Sequence, residues 1–147
     1  MLPELALDAR INAVDSLNRT DSSRQVNEAA GKLVLVVDDE QNFLALLHWF
    51  LTNRGYAVQT APSAEDALKL VETRPFDLAL VDIRMGPMDG LALLGELKRR
   101  LPEIRVVVMT AYPTVGAIKK SHANGAAAFL TKPVDLQELL KTIEGLF

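Results

Sequence analysis

The sequence predicts a doubly wound α/β fold built on one parallel sheet. Between residues 33 and 147, apolar segments rich in β-branched residues alternate five times with segments of helical periodicity. The loops between these segments are short, and parallel strands need a crossover helix between them. We therefore expect five βα units, with helices covering both faces of a single sheet.

The first two units occupy residues 33–73. "LVLVV" at 33–37 is a continuous apolar run, as expected for a strand that is covered on both faces. A helix is predicted over 41–53, ended by Gly55, with Trp49 on its outer side. Its predicted buried face consists of Phe43, Leu46, Leu47, Phe50 and Leu51. "YAVQTA" at 56–61 is the second strand, and Ser63 followed by Asp66 resembles a capping box for the next helix.

Three further units fill residues 78–147. The strands are predicted at 78–81, 105–109 and 127–130, each an apolar run. The first helix, 91–101, has basic residues in its last turn and Pro102 beyond it. A weaker helix over 114–124 ends at Gly125, and the helix over 135–147 carries an apolar stripe. That stripe consists of Leu136, Leu139, Leu140 and Ile143.

Composition narrows the class of protein. The chain has 147 residues, 49% of them apolar and 24% charged, with a net charge of −3 and no cysteine. This mild acidity gives no reason to expect direct binding to nucleic acid. No apolar run approaches the ~18 residues of a membrane span. The absence of cysteine excludes disulfides and thiolate metal sites and suits a cytoplasmic location.

Residues 1–32 differ in character from the rest and are predicted to be an N-terminal extension of a domain over 33–147. Leu7, Ile11 and Val14 stand at helical spacing, so the first part could form one amphipathic helix. Residues 19–32 are polar and are typical of a linker. Two interpretations stay open here: a loosely attached extension, or a helix that packs on a partner or on a second copy in a dimer.

Chemically active side chains follow four of the five predicted strands. Asp38 and Asp39 follow the first strand, Asp82 the third, Thr110 the fourth and Lys132 the fifth. In open parallel sheets, ligands bind beyond the carboxyl ends of the strands, so these residues are expected to meet at one edge. Clustered carboxylates repel one another unless a cation neutralises them. Oxygen ligands without His or Cys favour a hard ion, Mg²⁺ or alternatively Mn²⁺.

These parts match the needs of one reaction, the formation of an aspartyl phosphate. Asp82 would attack a phosphoryl group, while a bound cation and Lys132 would spread the charge on its oxygens. Thr110 would supply a hydroxyl donor. Pro133 permits a cis bond after Lys132, and the sequence does not fix the isomer.

Four motifs in register, "VLVVDDE", "LALVDIRM…MDGLALL", "VVVMTAY" and "AAFLTKP", resemble a response-regulator receiver domain of two-component signalling. The resemblance covers residues 33–147 and is nearest in flavour to the NtrC-like group of this CheY-like superfamily. It implies a flavodoxin-like fold with strand order 2-1-3-4-5. It also implies that the chain takes a phosphoryl group from a histidine kinase or a histidine phosphotransfer protein. It would have no enzymatic role beyond its own phosphorylation and dephosphorylation.

The resemblance also assigns roles to residues. Asp39 and Asp82 would bind Mg²⁺ directly, Asp38 through water, and Arg84 through its backbone carbonyl. Thr110 and Phe129 would be the switch residues that remodel the face made by the fourth helix, fifth strand and fifth helix.

Three further interpretations concern water access, the phosphodonor and one loop. Arg84 and Tyr112 fall where receivers admit the hydrolytic water, and two large side chains there are expected to lengthen the life of the phosphoryl group; the alternative is that the charged Arg84 orients that water. Trp49 on the outer side has three open interpretations: it is half-covered by neighbouring side chains, it belongs to the surface that meets the phosphodonor, or the N-terminal segment covers it. Met85-Gly86-Pro87 replaces the usual Met-Pro-Gly order, which puts the path of that loop in doubt.

Two other classes of function were weighed. A haloacid-dehalogenase-like phosphatase would need a D-x-D pattern in the first strand, which "VVDDEQ" lacks. A receiver that signals by interaction without phosphorylation is disfavoured by the intact acidic set. The chain stops after the fifth helix, so it is expected to be either a stand-alone receiver or a fragment. Its output would be a contact with an unidentified downstream protein.

Overall fold

A computed structural model describes residues 31–84 and 89–147 of the chain. The strands are β1 Leu33–Val37, β2 Ala57–Ala61, β3 Leu78–Asp82, β4 Arg105–Thr110 and β5 Ala128–Thr131. The helices are α1 Gln41–Thr52, α2 Ala64–Val71, α3 Gly90–Arg100, α4 Val115–Ala123 and α5 Leu136–Gly145. All ten predicted elements are present, with small shifts at their ends. The predicted amphipathic segment and the Met85–Met88 stretch of the loop lie outside the described residues.

The strands form one parallel sheet in the order β2-β1-β3-β4-β5, which confirms the predicted topology. The chain moves outward from β1 to β2 and then returns to place β3 on the other side of β1. Ligands bind at such a switch point in open α/β sheets. Val37 pairs with Val81 across β1 and β3, so the next residue on each strand, Asp38 and Asp82, stands beside the other.

The apolar strands are explained by two cores, one on each face of the sheet. Alternate residues of β1 point to opposite faces: Leu35 and Val37 belong to the core under α2 and α3, while Val34 and Val36 belong to the core under α1 and α5. Because both faces are covered, no position along the strand has to be polar.

Helix α1 corrects one sequence expectation. Its buried residues are Leu44, Leu47, Phe50 and Leu51, whereas Leu46 is 42% exposed. The apolar residues of α1 cover a wider arc than the strip that touches the sheet, so periodicity alone misplaced its edge. Trp49 lies on the outer side as predicted and is 62% exposed. None of the helices within the two described ranges is long and apolar enough to cross a membrane.

Candidate functional site

Three carboxylates meet where β1 and β3 end. Oxygen atoms of Asp38, Asp39 and Asp82 all lie within 4.8 Å of one another. Asp38 is fully buried and Asp82 is nearly so, whereas Asp39 is exposed. The sheet register that pairs Val37 with Val81 produces this convergence, as the sequence predicted.

The two buried carboxylates are each held by the backbone that follows them. Oδ1 of Asp38 accepts the N–H of Glu40 at 2.9 Å, and Oδ1 of Asp82 accepts the N–H of Arg84 at 2.9 Å. These local bonds are typical of aspartate at the start of a turn. Each carboxylate therefore has a fixed orientation and keeps its second oxygen for another partner.

That partner is Lys132, at the end of β5. Its Nζ donates to Oδ2 of Asp38 and to Oδ2 of Asp82, the latter at 3.0 Å. The backbone N–H of Lys132 donates to the carbonyl of Thr110 at 2.8 Å, and the bond from Lys132 to Pro133 is cis. The ammonium thus bridges the ends of β1 and β3.

The charges at this edge do not balance. Burial raises the pKa of Asp38 above its ordinary value, and the hydrogen bonds from Lys132 and Glu40 offset only part of that rise. Burial alone would lower the pKa of Lys132, but its hydrogen bonds to Asp38 and Asp82 and their negative charges raise it overall. Both shifts favour proton uptake, as expected where three clustered carboxylates outnumber the one ammonium, which bridges Asp38 and Asp82.

A divalent cation fits this donor set. The side chains offer carboxylate oxygens and no nitrogen or sulfur ligand, which favours Mg²⁺ or Mn²⁺. The exposed position of Asp39 leaves the cluster accessible from solvent. The Arg84 carbonyl, expected from the resemblance to be a further ligand, remains a prediction.

The predicted switch residues lie on the neighbouring strands. Thr110 ends β4 and is fully buried, and its Oγ1 accepts the N–H of Tyr112 at 3.0 Å. Phe129 lies on β5, half-buried against the core under α2 and α3. Met109 pairs with Asp82, so Thr110 stands one residue beyond the neighbour of that carboxylate. The movement of both residues remains a prediction.

Three features of the site were missed by sequence reasoning. The Arg84 guanidinium carbon lies 4.4 Å from the centroid of the Tyr112 ring. This contact could have been anticipated, because both residues come two positions after the ends of adjacent strands. Nζ of Lys132 also lies 4.6 Å from the centroid of the Phe43 ring. No sequence signal links these two residues, since the contact depends on how α1 is rotated.

The third missed feature is Gly90, the first residue of α3. A Cβ atom there would lie 2.4 Å from both the carbonyl oxygen of Asp82 and the Cα of Ile83. Asp89 caps the helix by accepting the N–H of Ala92 at 2.9 Å. The Asp89-Gly90 pair before an apolar helix is the sequence signal, and it marks where α3 packs directly against the end of β3.

This fold and this acidic edge define a receiver domain. The family model described as "Response regulator receiver domain" matches residues 34–144, and the chain belongs to this family. It is 42% identical over 111 residues to the transcriptional regulatory protein ZraR of Escherichia coli O157:H7, covering 76% of this chain and 25% of that protein. It is 36% identical over 109 residues to the DNA-binding transcriptional regulator NtrC of Klebsiella pneumoniae, covering 74% and 23%. The predicted NtrC-like flavour is confirmed, and the chain spans about a quarter of the length of these relatives.

Solved structures give the same result. A response regulator of Burkholderia pseudomallei, with a phosphorylated aspartic acid, calcium ion and citrate, superposes with a TM-score of 0.73 at 33% identity. The match covers 76% of this chain and 66% of that one. The regulator TrrA of Thermotoga maritima, in complex with Mg²⁺-BeF, gives a TM-score of 0.71 at 33% identity over 79% of this chain and 99% of that one.

Proposed function

We propose that this receiver accepts a phosphoryl group on Asp82 from the phosphohistidine of a histidine kinase or histidine phosphotransfer protein, with Mg²⁺ as cofactor and Mn²⁺ as the alternative ion. The observation that carries the proposal is the convergence of Asp38, Asp39 and Asp82, two of which, Asp38 and Asp82, are bridged by Lys132. The phosphorylated aspartate of the Burkholderia regulator and the Mg²⁺-BeF complex of the Thermotoga regulator support it.

The geometry indicates how Asp82 would react. One oxygen of Asp82 forms a bond to phosphorus while the bond from phosphorus to the donor imidazole nitrogen breaks, and the electron pair stays on that nitrogen. The N–H of Arg84 fixes the orientation of the carboxylate, so the nucleophile is held in place before the donor arrives. Lys132, already in contact with Asp82, is close enough to stabilise the negative charge on the phosphoryl oxygens, and the Thr110 hydroxyl would contact the same oxygens.

The cation belongs to the same edge. Asp38, Asp39, Asp82 and the Arg84 carbonyl would hold it, with Asp38 acting through water. When bound, it supplies positive charge that offsets the charge on the transferred group. Water attack on the aspartyl phosphate reverses the modification. We propose no enzymatic activity beyond this self-phosphorylation and self-dephosphorylation.

The output is proposed to be a contact with a downstream protein. Thr110 and Phe129 would switch on phosphorylation and remodel the face formed by α4, β5 and α5. Val115, the first residue of α4, is 69% exposed and is one apolar side chain available to a partner there. The proposed location is the cytoplasm. The proposal includes neither direct binding to nucleic acid nor insertion into a membrane.

The test is phosphorylation by acetyl phosphate, read by intact-protein mass spectrometry with and without Mg²⁺. We expect a Mg²⁺-dependent phosphoryl adduct on the wild type, none on Asp82→Asn, and a raised Mg²⁺ requirement for Asp39→Asn. Glu144→Gln, an exposed carboxylate change on α5, is the matched control and should behave as wild type. No adduct on the wild type, or an undiminished adduct on Asp82→Asn, would contradict the proposal and favour the interaction-only alternative.

A further inference from the structure

We infer that Phe43 is a positioning residue for Lys132 and that it acts through a cation–π contact made from α1. Nζ of Lys132 lies 4.6 Å from the centroid of the Phe43 ring. That separation is within the range in which an aromatic face attracts an ammonium group. The inference rests on the proposed function, because it concerns how Lys132 is kept ready for the phosphoryl group.

The ammonium group has little freedom at this site. The Lys132 side chain is 17% exposed, and two of its contacts are the buried carboxylates Asp38 and Asp82. Phe43 closes a third side, and it is itself half-buried against the core under α1 and α5. Its neighbour in sequence, Leu44, is buried in that core, so the ring is presented from a fixed part of the helix.

The ring has a property that the two carboxylates lack. Asp82 is also a candidate direct ligand of a hard divalent cation, and Asp38 a candidate ligand through water, so the cation competes with the ammonium for these two carboxylates. Hard cations take oxygen ligands, so the aromatic face is not shared in this way. The contact with Phe43 is therefore the one that persists when the carboxylates turn to the metal. It holds Lys132 beside Asp82, where the phosphoryl oxygens would lie.

The contact itself can be tested in the metal-free protein by nuclear magnetic resonance. Protons on the Cε of Lys132 should be shifted upfield by the ring current of Phe43, and Phe43→Leu should remove the shift. A Lys132 signal at the ordinary lysine position in wild-type protein would overturn the inference. This measurement needs neither Mg²⁺ nor a phosphodonor, so it stands even if the proposed function fails.

The role in positioning is tested by fluorination. Phenylalanine at 43 is replaced by its mono-, di- and trifluorinated analogues, which keep the shape of the ring and progressively weaken its attraction for cations. We expect the rate of Asp82 phosphorylation by acetyl phosphate at saturating Mg²⁺ to fall stepwise, by about 5-fold across the series. The same analogues at Phe50 are the matched control. That ring lies further along α1, with its centroid 4.4 Å from the guanidinium carbon of Arg54, so fluorination there should leave the phosphorylation rate unchanged.

The two substitutions at 43 separate positioning from packing. If Phe43→Leu slows phosphorylation but the fluorinated series does not, the ring merely fills space and the inference is wrong. A stepwise decline at 43, with none at 50, supports it.

Discussion

The two edges of the sheet use the same kinds of side chain in different ways. At the amino-terminal edge, Lys32, Asp77, Glu103 and Arg105 line a cavity of about 440 Å³ together with Phe76 and Phe147. Lys32 and Arg105 stand over the ring of Phe147, at 5.0 and 5.3 Å from its centroid. These two cations and two carboxylates balance. At the opposite edge three carboxylates cluster, and one lysine bridges two of them.

The aspartates at the two edges also have different partners. Asp77 joins the starts of three strands: its Oδ2 accepts the N–H of Leu33 at 2.8 Å, its N–H donates to the carbonyl of Leu33 at 2.9 Å, and its carbonyl accepts the N–H of Arg105 at 3.0 Å. Asp38 and Asp82 instead converge on a side chain, Lys132. Charged residues at a strand end are therefore not enough to mark a site. Buried charges of one sign, placed together without enough countercharge, are the better indicator.

The largest effect is expected from breaking the geometry that creates the acidic edge. Gly90→Ala would place a Cβ atom 2.4 Å from the backbone of Asp82 and Ile83, where no flexible side chain can yield. We expect the free energy of unfolding in urea to fall by about 3 kcal/mol.

Gly95→Ala on the same helix is the matched control, because nothing lies within 4 Å of its Cβ position. It should raise stability by about 0.5–1 kcal/mol, since alanine favours the helix. Equal behaviour of the two variants would show that α3 does not press on β3.

A second, smaller effect should separate the two edges. Asp77→Ala leaves the N–H of Leu33 without its side-chain partner and should cost about 1–3 kcal/mol of stability. It should leave Mg²⁺-dependent phosphorylation of the folded protein unchanged. Asp38→Asn should reduce Mg²⁺-dependent phosphorylation without the loss of stability. The amide keeps an acceptor for Lys132 and for the N–H of Glu40, and the change removes a buried charge.

The raised pKa of Asp38 predicts the direction in which stability changes with pH. Its pKa is raised in the folded state, so the native protein binds more protons than the unfolded chain as pH rises from the ordinary value of 3.8. In the absence of metal, the free energy of unfolding of the wild type, relative to that of Asp38→Asn, should therefore fall as pH rises from about 3.8 through the folded-state pKa of Asp38. The raised pKa of Lys132 acts only above its ordinary 10.5 and does not interfere. Urea denaturation of both proteins from about pH 4 upward would measure this difference. A rise in the stability of the wild type relative to Asp38→Asn with increasing pH would contradict the prediction.

Much of this arrangement is predictable from sequence because strand ends in a parallel sheet share an edge. That rule, with the resemblance, was enough to place Asp38, Asp82 and Lys132 together. It fails where a contact depends on the rotation of a helix, as for Phe43 over Lys132 and for the exposed Leu46. It fails also at Gly90. Glycine is required there because α3 approaches the backbone at the end of β3 too closely for a Cβ atom, and periodicity does not describe such an approach.

The smallest expected effect concerns the stack of Arg84 on Tyr112, which lies beside Asp82 as the stack on Phe147 lies beside Asp77. Both of its members are exposed, so the contact should be worth about 0.5–1 kcal/mol. We predict that the paired side chains hinder the approach of water to the aspartyl phosphate. Tyr112→Ala should therefore hasten dephosphorylation by about 2- to 5-fold in a time course at constant Mg²⁺.

Two variants interpret that result. Tyr112→Phe keeps the ring and should retain the wild-type rate, while Phe147→Leu removes an equivalent stack at the other edge and should have no effect. Faster loss in Tyr112→Phe would assign the effect to the hydroxyl group instead of the stack. Unchanged loss in Tyr112→Ala would show that the stack does not hinder water. Slower loss would favour the alternative in which the stacked Arg84 orients the attacking water, so either result would contradict the prediction.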